Sequence, residues 1–422
     1  MFELVGKYAK AIVMIDDVEA ECISQIMEFL NHSMYEGCTI RIMPDTHGGK
    51  GSVIGFTCTM NGKGVCANTI GVDISCGVNV WKITPNVTDF AALDVEIRKV
   101  LPLGPRGHER AVVTMKKDFD YSKVELDVYR FVKKYNEKFG TYFEAPVINY
   151  KYYLDLCNKL KFSGQAMDEF LGRVNKSCGS LGSGNHYIEI DIDENGQQYL
   201  TIHSGSRNFG KRVAEYFQKI AEGQSHNAIG NRDLAYLVGQ DTIDYLVAMV
   251  FVHEFASMNR KIMGELIAKA GGFELSDPIE TVHNFIDHRD FTIRKGAIRS
   301  YVGERMIIPF NMAVGSWICE GKSNAEWNNS GPHGAGRIMS RGQAKRTLKL
   351  EDFQNQMNEA GVFSTSICAE TLDEAPGSYK DASTIQAAIE PTAKILHVLK
   401  PVYNLKSAED IKRKKGKVTN NE

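Results

Sequence analysis

Three features of the sequence predict a mixed α/β (α+β) chain, a single large domain with central β-sheets flanked by helices. Helical periodicities and β-rich runs are interspersed along its whole length. No Pro-rich or Ser-rich linker divides it, and no internal repeat is present. Of its 422 residues 43% are apolar and 24% charged, the balance of a folded globular protein rather than a disordered one.

In chain order, Val18–Leu30 reads as a helix from its recurring apolar positions. Gly51–Met60 and Val78–Ile83 are rich in β-branched and aromatic residues and read as strands. Val124–Phe139 returns to helical spacing. Tyr187–Ile192 and Tyr199–His203 read as strands, and Lys211–Ala221 as a helix. The clearest helix is Asp244–Ala270, where Phe251, Phe255, Met258, Ile262 and Leu266 form one apolar stripe. Arg305–Pro309 reads as a strand and Asp381–Leu399 as a helix. The catalytic unit is expected over residues 1–406, followed by a polar basic tail at 407–422.

Fifty basic residues oppose 52 acidic ones, for a net charge of -2. That excludes a globally basic nucleic-acid coat but leaves room for a local basic site. Apolar runs fall short of the roughly 18–20 residues that span a bilayer. Nine cysteines without a C-x-x-C pair, and no secretion signal at the N-terminus, fit a reducing cytoplasm.

The 38 glycines cluster beside Asp, Asn, Cys and His. Five segments carry this composition: Asn68–Val80, Gly179–Ile190, Ile202–Gly210, Val282–Phe285 and Gly331–Arg341. Glycine turns next to strands can bring polar side chains to one end of a sheet. Asp73 and Cys76, three apart, can face one ion, and His186, His203 and His283 can complete a mixed O/S/N set. Thiolate with imidazole suggests zinc or a similar borderline metal. Taken alone, a cysteine such as Cys76 is more often a small core residue than a ligand. Arg207, Arg337 and Arg341 follow the Gly-rich His segments and suit phosphate oxygens, although Arg337 and Arg341 at helical spacing can also pair with acids. His47-Gly-Gly-Lys-Gly-Ser is not a phosphate-binding Walker loop, and Gly179-x-x-Gly182-x-Gly184 is not a dinucleotide fingerprint.

Taken in order, MPDTHGGKG (Met43–Gly51), VDISCG, LGSGNHYIEI, HSGSR, HNF, RKGAIR (Arg294–Arg299), HGAGR and DEAPGSYKD (Asp373–Asp381) resemble the RtcB family of RNA-splicing and RNA-repair ligases. The resemblance implies two Mn2+ ions, GTP as cofactor, and joining of RNA 3′-phosphate or 2′,3′-cyclic phosphate ends to 5′-hydroxyl ends. It implies that Cys76 bridges the ions, with Asp73 and His186 on one and His203 and His283 on the other. It makes His333 the guanylylated nucleophile. It places Asn185, Glu189, Pro309, Ala335, Gly336, Tyr379 and Lys406 at the nucleotide, and Arg207, Arg337 and Arg341 at RNA phosphates. One segment departs from the family. Its usual Pro-Gly-Ser-Met-Gly or Pro-Gly-Asp-Met-Gly is here Pro309-Phe310-Asn311-Met312-Ala313, whose added bulk bears on the guanosine pocket. Intact ligands beside that altered loop leave a second reading, a metal-dependent cyclic phosphodiesterase that opens ends without sealing them.

Overall fold

The computed structural model describes residues 1–227 and 230–408; most of the expected tail, 409–422, lies outside the described residues. Two large sheets organise the chain. A six-stranded sheet runs in the order Phe2–Val5, Lys10–Val13, Ile40–His47, Ile54–Thr59, Thr292–Lys295 and Asn284–Ile286. A seven-stranded sheet runs Arg305–Pro309, Ser316–Gly321, Ala393–Lys406, Tyr187–Ile192, Gln198–Ser204, Gly77–Thr84 and Glu274–Val282. A two-stranded ribbon pairs Ala297–Arg299 with Ser330–Pro332. Within both large sheets the pairing is antiparallel, except that Lys10–Val13 runs parallel to Ile40–His47. The mixed α/β class expected from the sequence is therefore the observed one.

Antiparallel order decides where the site forms. The start of Tyr187–Ile192, the end of Gln198–Ser204, the start of Gly77–Thr84 and the end of Glu274–Val282 meet at one edge of the seven-stranded sheet. The register pairs Tyr187 and Val78 with His203, and Gly77 with both Ser204 and Val282. His283 is the single residue between the last strand of that sheet and the Asn284–Ile286 strand of the other. His333 follows directly on Pro332 of the ribbon.

The long helix Gln240–Gly271 packs beside this edge. Its buried line runs through Ala248, Val252, Phe255, Ala256, Asn259, Arg260, Met263 and Ile267. That line is offset from the expected stripe: Phe251 and Phe255 are buried, whereas Met258, Ile262 and Leu266 are only half-buried. Two polar residues, Asn259 and Arg260, therefore occupy the packed face, and both are fully buried.

The helix expected at Asp381–Leu399 stops early. Ala382–Ile389 is helical, and Ala393–Lys406 is a 14-residue strand. Pro391 supplies the physical reason, since it lacks an N–H and cannot continue a helix. The strand then pairs with Tyr187–Ile192 and carries Lys406 opposite Tyr187. Among the described residues no helix is long and apolar enough to cross a membrane.

Candidate active site

The sheet edge gathers five metal-capable side chains. Asp73, Cys76 and His186 form one group and Cys76, His203 and His283 another, with ligand atoms in each group within 4.8 Å of one another. Cys76 belongs to both. Its Sγ lies 3.4 Å from His186 Nε2 and 3.3 Å from His203 Nε2. His186 Nε2 is 3.1 Å from Asp73 Oδ2, and His203 Nε2 is 3.4 Å from His283 Nε2.

The imidazoles are oriented from behind. His186 Nδ1 lies 2.9 Å from the Leu181 carbonyl and His203 Nδ1 3.2 Å from that of Asn185. A carbonyl only accepts, so each Nδ1 carries the proton and each Nε2 keeps its lone pair for the cluster. Burial, with neighbouring imidazoles adding to it, holds His203 and His283 well below the usual histidine value, so both are neutral at pH 7. Burial, and then the Asp73 charge, push the Cys76 thiol well above its usual value. This donor set fits divalent ions: a carboxylate oxygen, a shared sulfur and three imidazoles, two of them held through Nδ1 with Nε2 turned to the cluster.

Glycine is required where backbone crowds the cluster. A Cβ at Gly205 would collide with the Asp73 carboxylate, and one at Gly182, whose φ is +97°, with Arg207 and His186. The Gly-rich spelling of these segments is thus steric as well as conformational.

His333 stands beside the second group, its ring 4.9 Å from that of His283. Asp45 holds it. One carboxylate oxygen, Oδ2, accepts from His333 Nδ1 at 2.6 Å, from His333 N at 3.0 Å and from Gly334 N at 3.2 Å. His333 Nε2 is therefore the nitrogen left free to act. Asp45 is fully buried and is a residue that sequence reasoning missed. Its signal was available, because it lies inside the Met43–Gly51 segment. His47, from the same segment, lines the cavity in front of His333.

That cavity measures about 820 Å³ and is bordered by Asn185, Glu189, Pro309, Ala335, Gly336, Tyr379 and Lys406, together with His203, His283 and His333. Glu374, also unforeseen, joins its charged side. It accepts from Lys406 Nζ at 3.0 Å, Arg341 Nη1 at 2.7 Å and the Tyr379 hydroxyl at 2.7 Å. Burial opposes its ionisation, but Lys406, Arg341 and Arg337 outweigh that and hold its carboxyl at about 2. Lys406 is buried and ends a strand, so it belongs to this wall. Arg337 and Arg341 do pair with acids, but the acids, Asp373 and Glu374, are buried in the site wall rather than exposed on the surface.

The departing loop also borders the cavity. Phe310 is buried against Trp317, with ring centroids 4.3 Å apart. The Asn311 side-chain oxygen accepts from Ala313 N and Val314 N, both at 3.0 Å, and shapes the turn. The bulk that replaces glycine is thus seated on Trp317.

Glu189 and Asp191 lie on one face of their strand, both buried. Burial raises Glu189 well above the usual carboxyl value and Asp191 to about 6. A carboxyl raised in the fold binds more protons folded than unfolded. Its stabilising effect is full below its unfolded value, about 3.8, and is lost as pH rises through about 6. Asp191→Asn is therefore expected to raise the melting temperature by about 2–4 °C near pH 8. The gain should vanish near pH 4, as thermal unfolding across that range will show.

A second cavity of about 1000 Å³ opens on the other side of the cluster, where Asp73 and His186 line it. Arg106, Arg173, Lys176, Arg207 and Lys211 outnumber the acids Asp73, Asp168 and Glu169 on its lining and make it basic. Arg207 donates to Ser180 Oγ at 3.1 Å and to the Gly104 carbonyl at 2.8 Å. The ligand cluster is accordingly a partition between two cavities, with His203, His283 and His333 facing the first.

Comparison with known proteins agrees in one direction. The family model described as tRNA-splicing ligase RtcB matches residues 27–407. The RNA-splicing ligase RtcB of Escherichia coli K12 is 30% identical over 390 residues, covering 87% of this chain and 90% of that protein. The tRNA-splicing ligase RtcB of Pyrobaculum aerophilum is 28% identical over 413 residues, covering 82% and 83% respectively. With this match across most of its length, the chain belongs to the RtcB family.

Proposed function

We propose that the chain, as one catalytic unit over residues 1–406, is a cytoplasmic RNA ligase of tRNA splicing or RNA repair that depends on GTP and Mn2+. It would join a 3′-phosphate or 2′,3′-cyclic phosphate end to a 5′-hydroxyl end. The observation that carries this reading is His333, fixed through Nδ1 by buried Asp45 and left with Nε2 free beside a two-part ligand cluster.

In this reading His333 Nε2 attacks the α-phosphorus of GTP, pyrophosphate leaves, and a histidine–GMP phosphoramidate remains. Asp45 offsets the positive charge that develops on the ring. The GMP passes to the RNA 3′-phosphate, which gives that end a good leaving group. Attack by the 5′-hydroxyl then forms the new phosphodiester and releases GMP. Divalent ions held by Asp73, Cys76, His186, His203 and His283 would offset charge on the phosphoryl oxygens and activate the water that opens a cyclic end. Tyr379 would stack on guanine, Lys406 would read its edge, Glu189 would support the nucleotide or ligand geometry, and Asn185 would contact the phosphate. RNA phosphates would meet Arg207, Arg337 and Arg341. The basic second cavity supports this reading, since an in-line displacement needs the attacking strand opposite the departing GMP.

A sealing assay tests it. An RNA with a 3′-phosphate and a partner with a 5′-hydroxyl should be joined with GTP and Mn2+, and not without GTP. Opening of a cyclic end without GTP, and no sealing with it, would favour the phosphodiesterase instead. Lys176→Ala and Lys211→Ala are expected to make RNA binding less salt-dependent, each lowering the slope of log affinity against log salt by about 0.7. Filter binding at several salt concentrations checks this, with adduct formation on His333 as the RNA-independent reference.

A further inference from the structure

Arg260 is a fully buried charge on the packed face of the Gln240–Gly271 helix, and its hydrogen bonds go to none of the five ligand side chains. Its guanidinium instead grips the backbone beside two of them. Nη1 donates at 3.0 Å to the Ser75 carbonyl and at 3.0 Å to the Ser204 carbonyl. Ser75 immediately precedes Cys76, and Ser204 immediately follows His203. Nε and Nη2 are anchored by Asn79 Oδ1 at 2.5 Å and Glu280 Oε1 at 2.6 Å.

The first carbonyl belongs to an unusual residue. Ser75 has φ +57°, the left-handed region that costs a non-glycine residue on the order of 1–2 kcal/mol. That turn aims Asp73 and Cys76 at one point, so something must hold it. Arg260 does so from below, while the Asn284 carbonyl accepts Ser75 N at 2.8 Å. The preceding helix residue completes the clamp. Asn259 Oδ1 accepts from Gly179 N and Ser180 N at 2.8 and 3.1 Å, on the loop that leads to His186. Its Nδ2 donates to Ser204 Oγ and the Gly205 carbonyl, both at 3.1 Å.

We propose that Arg260, with Asn259, is a positioning residue for the metal centre, fixing the three backbone segments that present Cys76, His186 and His203 so that their donor atoms converge before an ion arrives. This rests on the metal reading of the cluster. A planar fork with several fixed donors suits the task, and a lysine, with the same charge but a single nitrogen, does not replace it.

Co2+ titrated into the metal-free protein tests the role, because thiolate ligation gives a near-ultraviolet absorbance that needs neither GTP nor RNA. Arg260→Lys should weaken Co2+ affinity by about 10–100-fold, the range for partners that orient ligands, and reduce the thiolate absorbance. Asn259→Asp, which keeps both acceptor bonds and loses both donors, should shift affinity the same way. Arg294→Lys is the control. Arg294 is equally buried but pairs with Asp287 and Asp290, so it should lower the melting temperature with Co2+ affinity unchanged. Parental affinity and absorbance in folded Arg260→Lys would overturn the proposal. So would an affinity loss that Arg294→Lys reproduces. Should Arg260→Lys not fold, Asn259→Asp decides by the same readouts. A parent that binds no Co2+ would instead sink the metal reading itself.

Discussion

Asp45→Asn is expected to slow transfer of GMP to His333 by up to about 10⁴-fold, the scale seen when the buried carboxylate behind a reacting imidazole is replaced by its amide. The reasoning is electrostatic. Asp45 Oδ2 accepts three hydrogen bonds, from His333 Nδ1 and from the backbone N–H groups of His333 and Gly334. An asparagine oxygen can keep all three, so the ring stays in place. What disappears is the negative charge facing the imidazole as Nε2 forms its bond to phosphorus. Single-turnover kinetics with labelled GTP would show the loss in the chemical step, with Co2+ affinity little changed. Equal rates would mean that Asp45 only shapes the backbone.

Cys76→Ser is expected to damage metal binding more than any single histidine substitution in the cluster. Sγ is the one donor common to both groups, and it sits 3.3–3.4 Å from two imidazole Nε2 atoms. A serine hydroxyl is a poor anionic ligand at neutral pH, so both groups lose their shared atom. The loss should exceed the roughly 10–100-fold typical of removing an outer partner. Because the Cys76 thiol is raised by burial, binding in the parent should also release a proton, and that release should be absent from the variant. Calorimetric titration with Mn2+ in two buffers of different ionisation enthalpy measures both effects. Two equivalents bound with parental affinity by Cys76→Ser would contradict the shared-ligand geometry.

Local chemistry was legible in the sequence where the pattern is local. Tyr187–Ile192 and Arg305–Pro309 are strands with the bounds their residues suggest, and Gln240–Gly271 is one long helix. The helix expected over Asp381–Leu399 is not formed throughout because apolar spacing in Ile385–Leu399 suits a helix while Pro391 interrupts it. The convergence of ligands 80 residues apart depended on strand order, which periodicity does not encode. Asp45 and Glu374 stayed hidden for the same reason, since an acid in a short polar motif looks solvated until the fold buries it against His333 or Lys406. Arg260 was harder still. A charge within an apolar stripe reads as an exposed neighbour of the buried face, and only the offset of that face places it inside.

Whether His333 carries GMP can be tested without RNA. The protein would be incubated with Mn2+ and GTP labelled at the α-phosphorus, denatured, and examined for protein-bound label. The expected result is an acid-labile adduct of one GMP per chain in the parent, and none in His333→Ala of matching metal content. A metal-loaded parent without adduct, or an adduct that survives His333→Ala, would contradict it.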